Sequence, residues 1–335
     1  MPPLRVAAID VSHWHALHDA AYLRLLAAMD DVRLVGLHDA SAAVAAERAA
    51  AVGGPPVFTD YREMLATTRP DFVVALGPHR RMPETADFLL EQGYPFMMEK
   101  PMGVSAADVE RIAAKAAARR AFVAVPLPQR YAPFVARART MLAEGRFGPL
   151  SHLYLRLNRP TSARYPAWHS AWMLDPAAAG GGCLRNLGAH LLDLFRLLTG
   201  EEARVVAAQT SARVHGQAVE DYASVLLRTA GGVLGTIEVG NTVPYAGSDG
   251  EWKIAGRDAI LVLYHDDAMR LITAAGEERL ASPPTPLYGV CVRDILDHFR
   301  RGAAPPIGVG DLLAAVRLID EAYALAAPQP STPAR

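Results

Sequence analysis

Three short stretches of this 335-residue chain carry the side chains that could do chemistry. The first is EKPMG at 99–103. Lys100 is one of three lysines among 34 basic residues in a chain that otherwise uses arginine. An ammonium shares a proton far more readily than a guanidinium. Lys100 therefore reads as a group that orients a substrate hydroxyl and joins a proton relay. The other reading is a strand end salt-bridged through Glu99, followed by a turn. The second stretch is GGGCLRNLGAHLLDLFRLLTG at 180–200. At about 100° per residue, Asn186, His190 and Asp193 share one stripe, with Leu184, Leu187, Leu191, Phe195 and Leu198 on the other side. Such a polar stripe faces either solvent or a ligand. The three glycines before it favour close backbone approach, with His190 projecting toward whatever approaches.

The third stretch is AAIDVSHWHALH at 7–18. A dinucleotide-binding turn wants glycines after the first strand and an acidic residue at the end of the second. Asp39 is placed to accept from a ribose hydroxyl. Ala40 and Ser41 bring no arginine for a 2′-phosphate, which favours NAD over NADP. The glycines are absent, and Asp10 and Ser12 stand at the turn. A carboxylate about 5 Å from a phosphate charge costs about 3 kcal/mol at an effective dielectric near 20, unless Asp10 turns away or is neutralised. Taken alone, the turn reads as that of an α/β domain with a strand-terminal aspartate. His13, His15 and His18 do not share a helical face. They predict no metal site, and one or two of them should face a ligand cleft at the strand ends.

These residues need a scaffold, and the hydrophobic pattern supplies one. Strands are predicted at 4–9, 32–37, PPVF, 71–76, PFMM and AFVAV. Helices are predicted at 14–29, from about 41 to 52, at 83–92 and at 105–119, the last with Ser105 as N-cap. DFVVAL is a near-continuous apolar run, as a buried parallel strand requires. The alternation predicts a parallel sheet covered on both faces, with Lys100 and Glu99 at a strand's C-terminal end, where ligands bind. After Pro126-Leu127-Pro128 the pattern changes. A helix follows at about 131–144, then a strand near 150–158, the glycine-led helix to about 199, and mostly strand from 203 to 274. YASVLLRT with GVLGTIEVG, and AILVLYH with AMRLITA across Asp266-Asp267, read as antiparallel hairpins. Two helices close the chain near 289–301 and 311–326, ahead of a disordered tail, PQPSTPAR. The expected division is 1–125 and 126–335.

Composition narrows the function. A formal net charge of −1 and a pI near 6.8, with no basic stripe, argue against nucleic acid. No apolar run approaches a membrane span. The N-terminus lacks a signal peptide's pattern. Cys183 and Cys291 are too few for a disulfide framework, so the expected compartment is the cytoplasm.

Three stretches, in order, resemble the Gfo/Idh/MocA family of sugar and inositol dehydrogenases. EKP at 99–101 matches that family's lysine motif. QRYAPFVARAR at 129–139 resembles its segment after the nucleotide domain. AWMLDPAAAGGGCLRNLGAHLLD at 171–193 resembles its Trp, Asp-Pro, triple-glycine, His and Asp stretch. The resemblance implies an N-terminal Rossmann domain, a C-terminal α+β domain with a mostly antiparallel open sheet, NAD(P), and dimers or tetramers built on that sheet. The family lysine falls on Lys100 and the histidine on His190. Three places depart from the pattern. Asp10 and Ser12 replace glycines, Asn186 replaces the acidic residue four before the histidine, and GPHRRMPE at 77–84 carries His79 and Met82 in place of the usual residues.

The expected function is an NAD-dependent oxidoreductase acting on a sugar, inositol or related polyhydroxylated substrate. His190 is its base, Lys100 holds the reacting hydroxyl, and Asn186 binds substrate or orients His190. Asp10, Ser12, His13, His15, Asp39, Gly77, His79, Glu99 and Lys100 should line the cofactor. Arg130, Tyr131, Trp168, His169, Trp172 and Asp193 should line the substrate. The open sheet face needs cover, and a second copy is the simplest cover. Two rivals keep the fold: a lyase or hydrolase without net redox chemistry, and a binding or scaffold protein on a decayed dehydrogenase frame.

Overall fold

The computed structural model describes residues 2–264 and 268–326. Six parallel strands form the first sheet: β1 (Leu4–Ile9), β2 (Val32–His38), β3 (Val57–Phe58), β4 (Phe72–Ala75), β5 (Phe96–Met98) and β6 (Val123–Ala124). Their order is β3-β2-β1-β4-β5-β6, the doubly wound arrangement of a Rossmann domain. Every residue of β4 and β5 is buried, which is why these segments read as unbroken apolar runs. The crossover helices are α1 (Tyr22–Ala27), α2 (Ala42–Ala50), α3 (Tyr61–Thr68), α4 (Met82–Gln92) and α5 (Ala106–Arg119). Ser41, Asp60 and Ser105 cap α2, α3 and α5 through side-chain oxygens, and Gly93 ends α4 at φ 75°.

Two expectations fail in this half. The helix predicted over 14–29 is a 3₁₀ turn at Trp14–Ala16 followed by the short α1. Asp19 and Ala21 take positive φ, at 51° and 50°, and break the helix between them. The 61–68 segment, passed over in the sequence, is α3.

The second sheet holds β7 (Leu150–Pro160), β8 (Ala203–Ser211), β9 (Tyr222–Thr229), β10 (Leu234–Val243), β11 (Asp249–Gly256), β12 (Ala259–Leu263), β13 (Met269–Thr273) and β14 (Gly276–Leu280). Its order is β14-β13-β12-β11-β7-β10-β9-β8, antiparallel except where β10 lies parallel to β7. Both predicted hairpins pair, β9 with β10 and β12 with β13. Asp266-Asp267 lie outside the described residues, as does the predicted disordered tail. The helices of this half are α6 (Pro133–Ala143), α7 (Arg164–Ala167), α8 (Pro176–Ala179), α9 (Cys183–Thr199), α10 (Leu287–Arg300) and α11 (Val309–Ala326).

Helix α9 is buried on every side from Cys183 to Phe195, its polar stripe included. A buried polar stripe needs partners, so this helix sits where protein meets protein or ligand. Helix α10 returns to the first sheet, where Cys291, Val292, Ile295 and Leu296 pack with Val6, Phe72 and Met97. A boundary at residue 125 separates the strands of the two sheets but leaves α10 against the first of them. No helix among the described residues is long and apolar enough to cross a membrane.

Candidate active site

A cavity of about 330 Å³ lies at the C-terminal ends of the first sheet, where α9 and β7 meet it. Lys100, just past β5, is on its wall. Asn186 and His190 reach it from α9, one helical turn apart. Trp14 and His15 come from the first turn, Arg159 from the end of β7, and Tyr288 from α10.

Lys100 is almost fully buried, and its Nζ donates to the Asn186 carbonyl at 2.9 Å and to Asn186 Oδ1. Burial pushes its ammonium down to about 8, against the upward pull of Glu99 and Asp19. The expected Glu99–Lys100 side-chain bridge is not the arrangement. Glu99 accepts from His15 Nδ1 at 2.8 Å and from the Tyr22 hydroxyl, and its contact with Lys100 is to the backbone N at 3.1 Å. Although burial acts upward on it, His15 and Lys100 hold the Glu99 carboxyl below its ordinary range.

His190 is buried with Nδ1 unpartnered, and burial, reinforced by Lys100, holds its pKa well below the usual value. The imidazole is therefore neutral. Of the two roles expected of Asn186, binding substrate or orienting His190, the second is not the arrangement. Asn186 Oδ1 goes to Lys100, and its Nδ2 donates to the Tyr165 hydroxyl at 2.9 Å. Asn186 positions the lysine.

The strand-end crevice of β1, β2 and β4 is built differently. Asp10 takes φ 57° and is buried, its carboxylate 3.4 Å from His38 Nδ1 and 4.0 Å from Arg81. It leans on Gly77, whose φ is 105° and where an added Cβ would strike the Asp10 carboxylate. Burial pushes its carboxyl up to about 6, while Arg81 pulls it down. Asp10 is thus turned inward onto Gly77, with Arg81 the cation nearest its carboxylate. Ser12 gives its N–H to Asp39 Oδ2 at 2.7 Å, and Ser41 N donates to Oδ1 at 3.0 Å. The Ser12 amide is therefore spent, while each Asp39 oxygen keeps a lone pair.

The segment from α7 to α8 covers this crevice. Ser170 Oγ donates to the Ser12 carbonyl at 3.2 Å. Trp172 packs 5.8 Å from His13 and 4.9 Å from His79, and Trp168 stacks on His18 at 4.5 Å. His79 Nδ1 donates to the Ala179 carbonyl at 2.7 Å. His13 stacks on Trp14, and its Nδ1 accepts from His15 N at 3.1 Å. Burial keeps both imidazoles neutral, His79 down to about 3 and His13 well below its ordinary value.

Buried polar atoms without partners gather here: His13 Nε2, Trp172 Nε1, His79 Nε2 and Arg48 NH2, the last on a side chain whose Nε donates to the Val11 carbonyl. With Nδ1 of His13 accepting and Nδ1 of His79 donating, the neutral tautomers make His13 Nε2 a donor and His79 Nε2 an acceptor. Imidazole, indole and guanidinium N–H groups suit phosphate oxygens. The residues present fit a dinucleotide through side chains, where a glycine turn would offer backbone.

Several expected substrate residues lie away from the cavity. Arg130 pairs with Asp193, through Nε to Oδ2 at 2.7 Å, and with Asp311 at 3.0 Å, so two of them neutralise each other. The Tyr131 hydroxyl donates to Asp294 Oδ2 at 2.6 Å, tying α10 in place. His169, at φ 63°, is exposed and meets Glu47 at 3.2 Å. Trp168 and Trp172 belong to the crevice cover. Gln129, Asp19, Arg159 and Arg164 also line the cavity. Of these only Gln129 carries a sequence signal, in the QRYAPFVARAR stretch beside Arg130.

The family model "Oxidoreductase family, NAD-binding Rossmann fold" matches residues 13–126, and "GFO/IDH/MocA C-terminal domain" matches 135–262. The chain is 30% identical over 204 residues to trans-1,2-dihydrobenzene-1,2-diol dehydrogenase of Bos taurus, covering 58% of this chain and 58% of that enzyme's length. It is 25% identical over 304 residues to inositol 2-dehydrogenase of Rhizobium meliloti strain 1021, covering 87% and 88%. In fold it is similar to GenD2 from gentamicin A biosynthesis, crystallised with NAD, with a TM-score of 0.84, 24% identity and coverage of 98% and 95%. Two domain models of one family thus meet in order across most of the sequence, and the chain belongs to the Gfo/Idh/MocA family of oxidoreductases.

Proposed function

We propose that this chain is an NAD-dependent oxidoreductase acting on a CH–OH group of a sugar, inositol or related polyhydroxylated substrate. The observation that supports this most is Lys100, buried and poised at about 8, beside the neutral His190 on one cavity wall. Lys100 holds the reacting hydroxyl and stabilises developing alkoxide charge. His190, which burial favours in its neutral form, accepts the hydroxyl proton. Asn186 keeps the ammonium aimed. His13, Trp172 and Arg48 would hold the dinucleotide phosphates, and Asp39 the adenosine ribose. The chemistry that NAD supplies when bound is acceptance of the hydride, so that loss of hydride and proton leaves a carbonyl.

The test pairs calorimetry with NAD and NADP against a turnover screen of sugars and polyols. Nucleotide binding with reduction at 340 nm on at least one polyol is expected. Binding without any reduction, or no binding, overturns the reading. The covered crevice favours a second possibility, a resident cofactor cycling without net redox change. Its mark is nicotinamide absorbance in the purified protein.

We also propose a homo-oligomer working in a reducing cytoplasm, where Cys183 and Cys291 remain buried thiols. Val206, Leu226 and Leu234 are exposed on strands β8, β9 and β10, and a second copy would cover them. A monomer in light scattering at micromolar concentration counts against this.

A further inference from the structure

Two arginines on the cavity wall, Arg159 and Arg164, take no part in proton or hydride transfer. Arg164 opens α7. Its NH1 bonds the carbonyls of Pro160 and Thr161, and its NH2 bonds the Tyr165 hydroxyl at 3.0 Å and Asn241 Oδ1 at 2.8 Å. All four acceptors are neutral, Nε is buried without a partner, and no carboxylate among the described residues pairs with this charge. Arg159 pairs with Asp19 at 2.9 Å, and both side chains remain partly exposed, at 32% and 21%.

The cavity wall therefore carries three cations, Lys100, Arg159 and Arg164, against the single carboxylate of Asp19. A cleft with an excess of one sign concentrates ligands of the other. A guanidinium binds a carboxylate as a planar fork, which a neutral polyol cannot use; Arg159 has that fork to offer, whereas NH1 and NH2 of Arg164 are spent on their four acceptors and Arg164 contributes charge. The same wall offers hydroxyl recognition: Gln129 Oε1 is buried with no donor on it.

We infer that the ligand of this cavity is an acidic polyol, an aldonate or uronate, whose carboxylate seats on Arg159, with the charge of Arg164 beside it, while its hydroxyls meet Lys100 and Gln129. The hydroxyl half rests on the oxidoreductase reading; the carboxylate half does not.

Calorimetry at fixed ionic strength, with and without NAD, tests this on two matched pairs, D-glucuronate with D-glucose and D-gluconate with D-sorbitol. At least one acid should bind about tenfold more tightly than its neutral partner. Arg159→Met should bring the two within about threefold, with the melting temperature unchanged. Arg164→Lys, which keeps the charge, should keep most of the preference. Acids that bind no better than their partners, absence of acid binding included, overturn the inference. So does an acid preference that survives Arg159→Met. Acid binding that depends on Arg159, with no reduction of NAD or NADP, overturns the oxidoreductase reading and leaves this inference standing. Turnover of neutral polyols with no acid preference does the reverse.

Discussion

The cavity beside α9 and the crevice above β1, β2 and β4 lie at the same end of one sheet, yet they solve burial in opposite ways. In the cavity region, charge is kept and hydrogen-bonded: Glu99 to His15, and Lys100 to the oxygens of Asn186. In the crevice, charge is disfavoured: Asp10 is pushed up, His13 and His79 are pushed down, and polar atoms are left without partners. Burial penalises the charged form of any group, and only a nearby partner reverses that. Hydrogen-bonded charge with a lysine poised near 8 suits proton chemistry. Neutral, unpartnered donors suit receipt of a ligand that brings its own charge.

The largest expected effect tests the cavity side. Lys100→Met should lower kcat by about 10³-fold or more, since an oxyanion donor of this kind is worth that much. Thermal stability should change little, because the substitution removes a desolvated charge along with its bonds. A fall of many degrees in melting temperature would make Lys100 a structural group.

The next tests the crevice side. Asp10 has a folded-state pKa near 6 against an ordinary 3.8. Its contribution to stability is full below 3.8 and lost as pH rises through 6, because the folded state then gives up a proton it holds more tightly than the unfolded chain. Over about two pKa units this amounts to at most about 3 kcal/mol. Asp10→Asn should therefore raise the melting temperature at pH 8 and gain nothing at pH 4. Equal gains at both pH values would show that Asp10 is not held in the suppressed state.

A third prediction uses the contact that replaced an expected one. If cationic Lys100 is the working form, kcat/KM should fall as pH rises through about 8. Asn186→Asp puts a carboxylate against Nζ, favours the charged form, and should move that alkaline limb up by about one unit. A limb that stays put would separate residue 186 from the lysine. A rate that climbs through 8 would make neutral Lys100 the base.

The smallest effect concerns the crevice cover. Trp172→Ala removes the ring lying over His13 and His79 and should speed NAD association several-fold in stopped-flow fluorescence, a change worth about 1 kcal/mol. An unchanged rate would mean that this ring does not gate the crevice.

Much of this was legible beforehand. The apolar runs, Ser105 and Gly93 marked a parallel sheet and its helix ends, because burial and capping are local. Lys100 stood out through arginine bias, and His190 through helical spacing. The helix over 14–29 was misread because its apolar spacing continues through residues that take left-handed φ, and periodicity does not report backbone φ.

The alternation of elements, the strand end that holds Lys100, and the helix face that holds Asn186 and His190 follow from local pattern. The pairings follow only from the packed fold. Lys100 meets Asn186 across 86 residues, Arg130 meets Asp193 across 63, and His79 meets Ala179 across 100. Helical spacing specifies a face, not what stands opposite it. Arg130 and Asp193 each looked like a substrate group until α9 brought them together, whereas Arg159 and Arg164 acquired a candidate ligand because no carboxylate was folded against Arg164 and only Asp19 against Arg159. The difference is one of range: propensity and periodicity act over a few residues, while the fate of a buried charge depends on the nearest opposite charge in space.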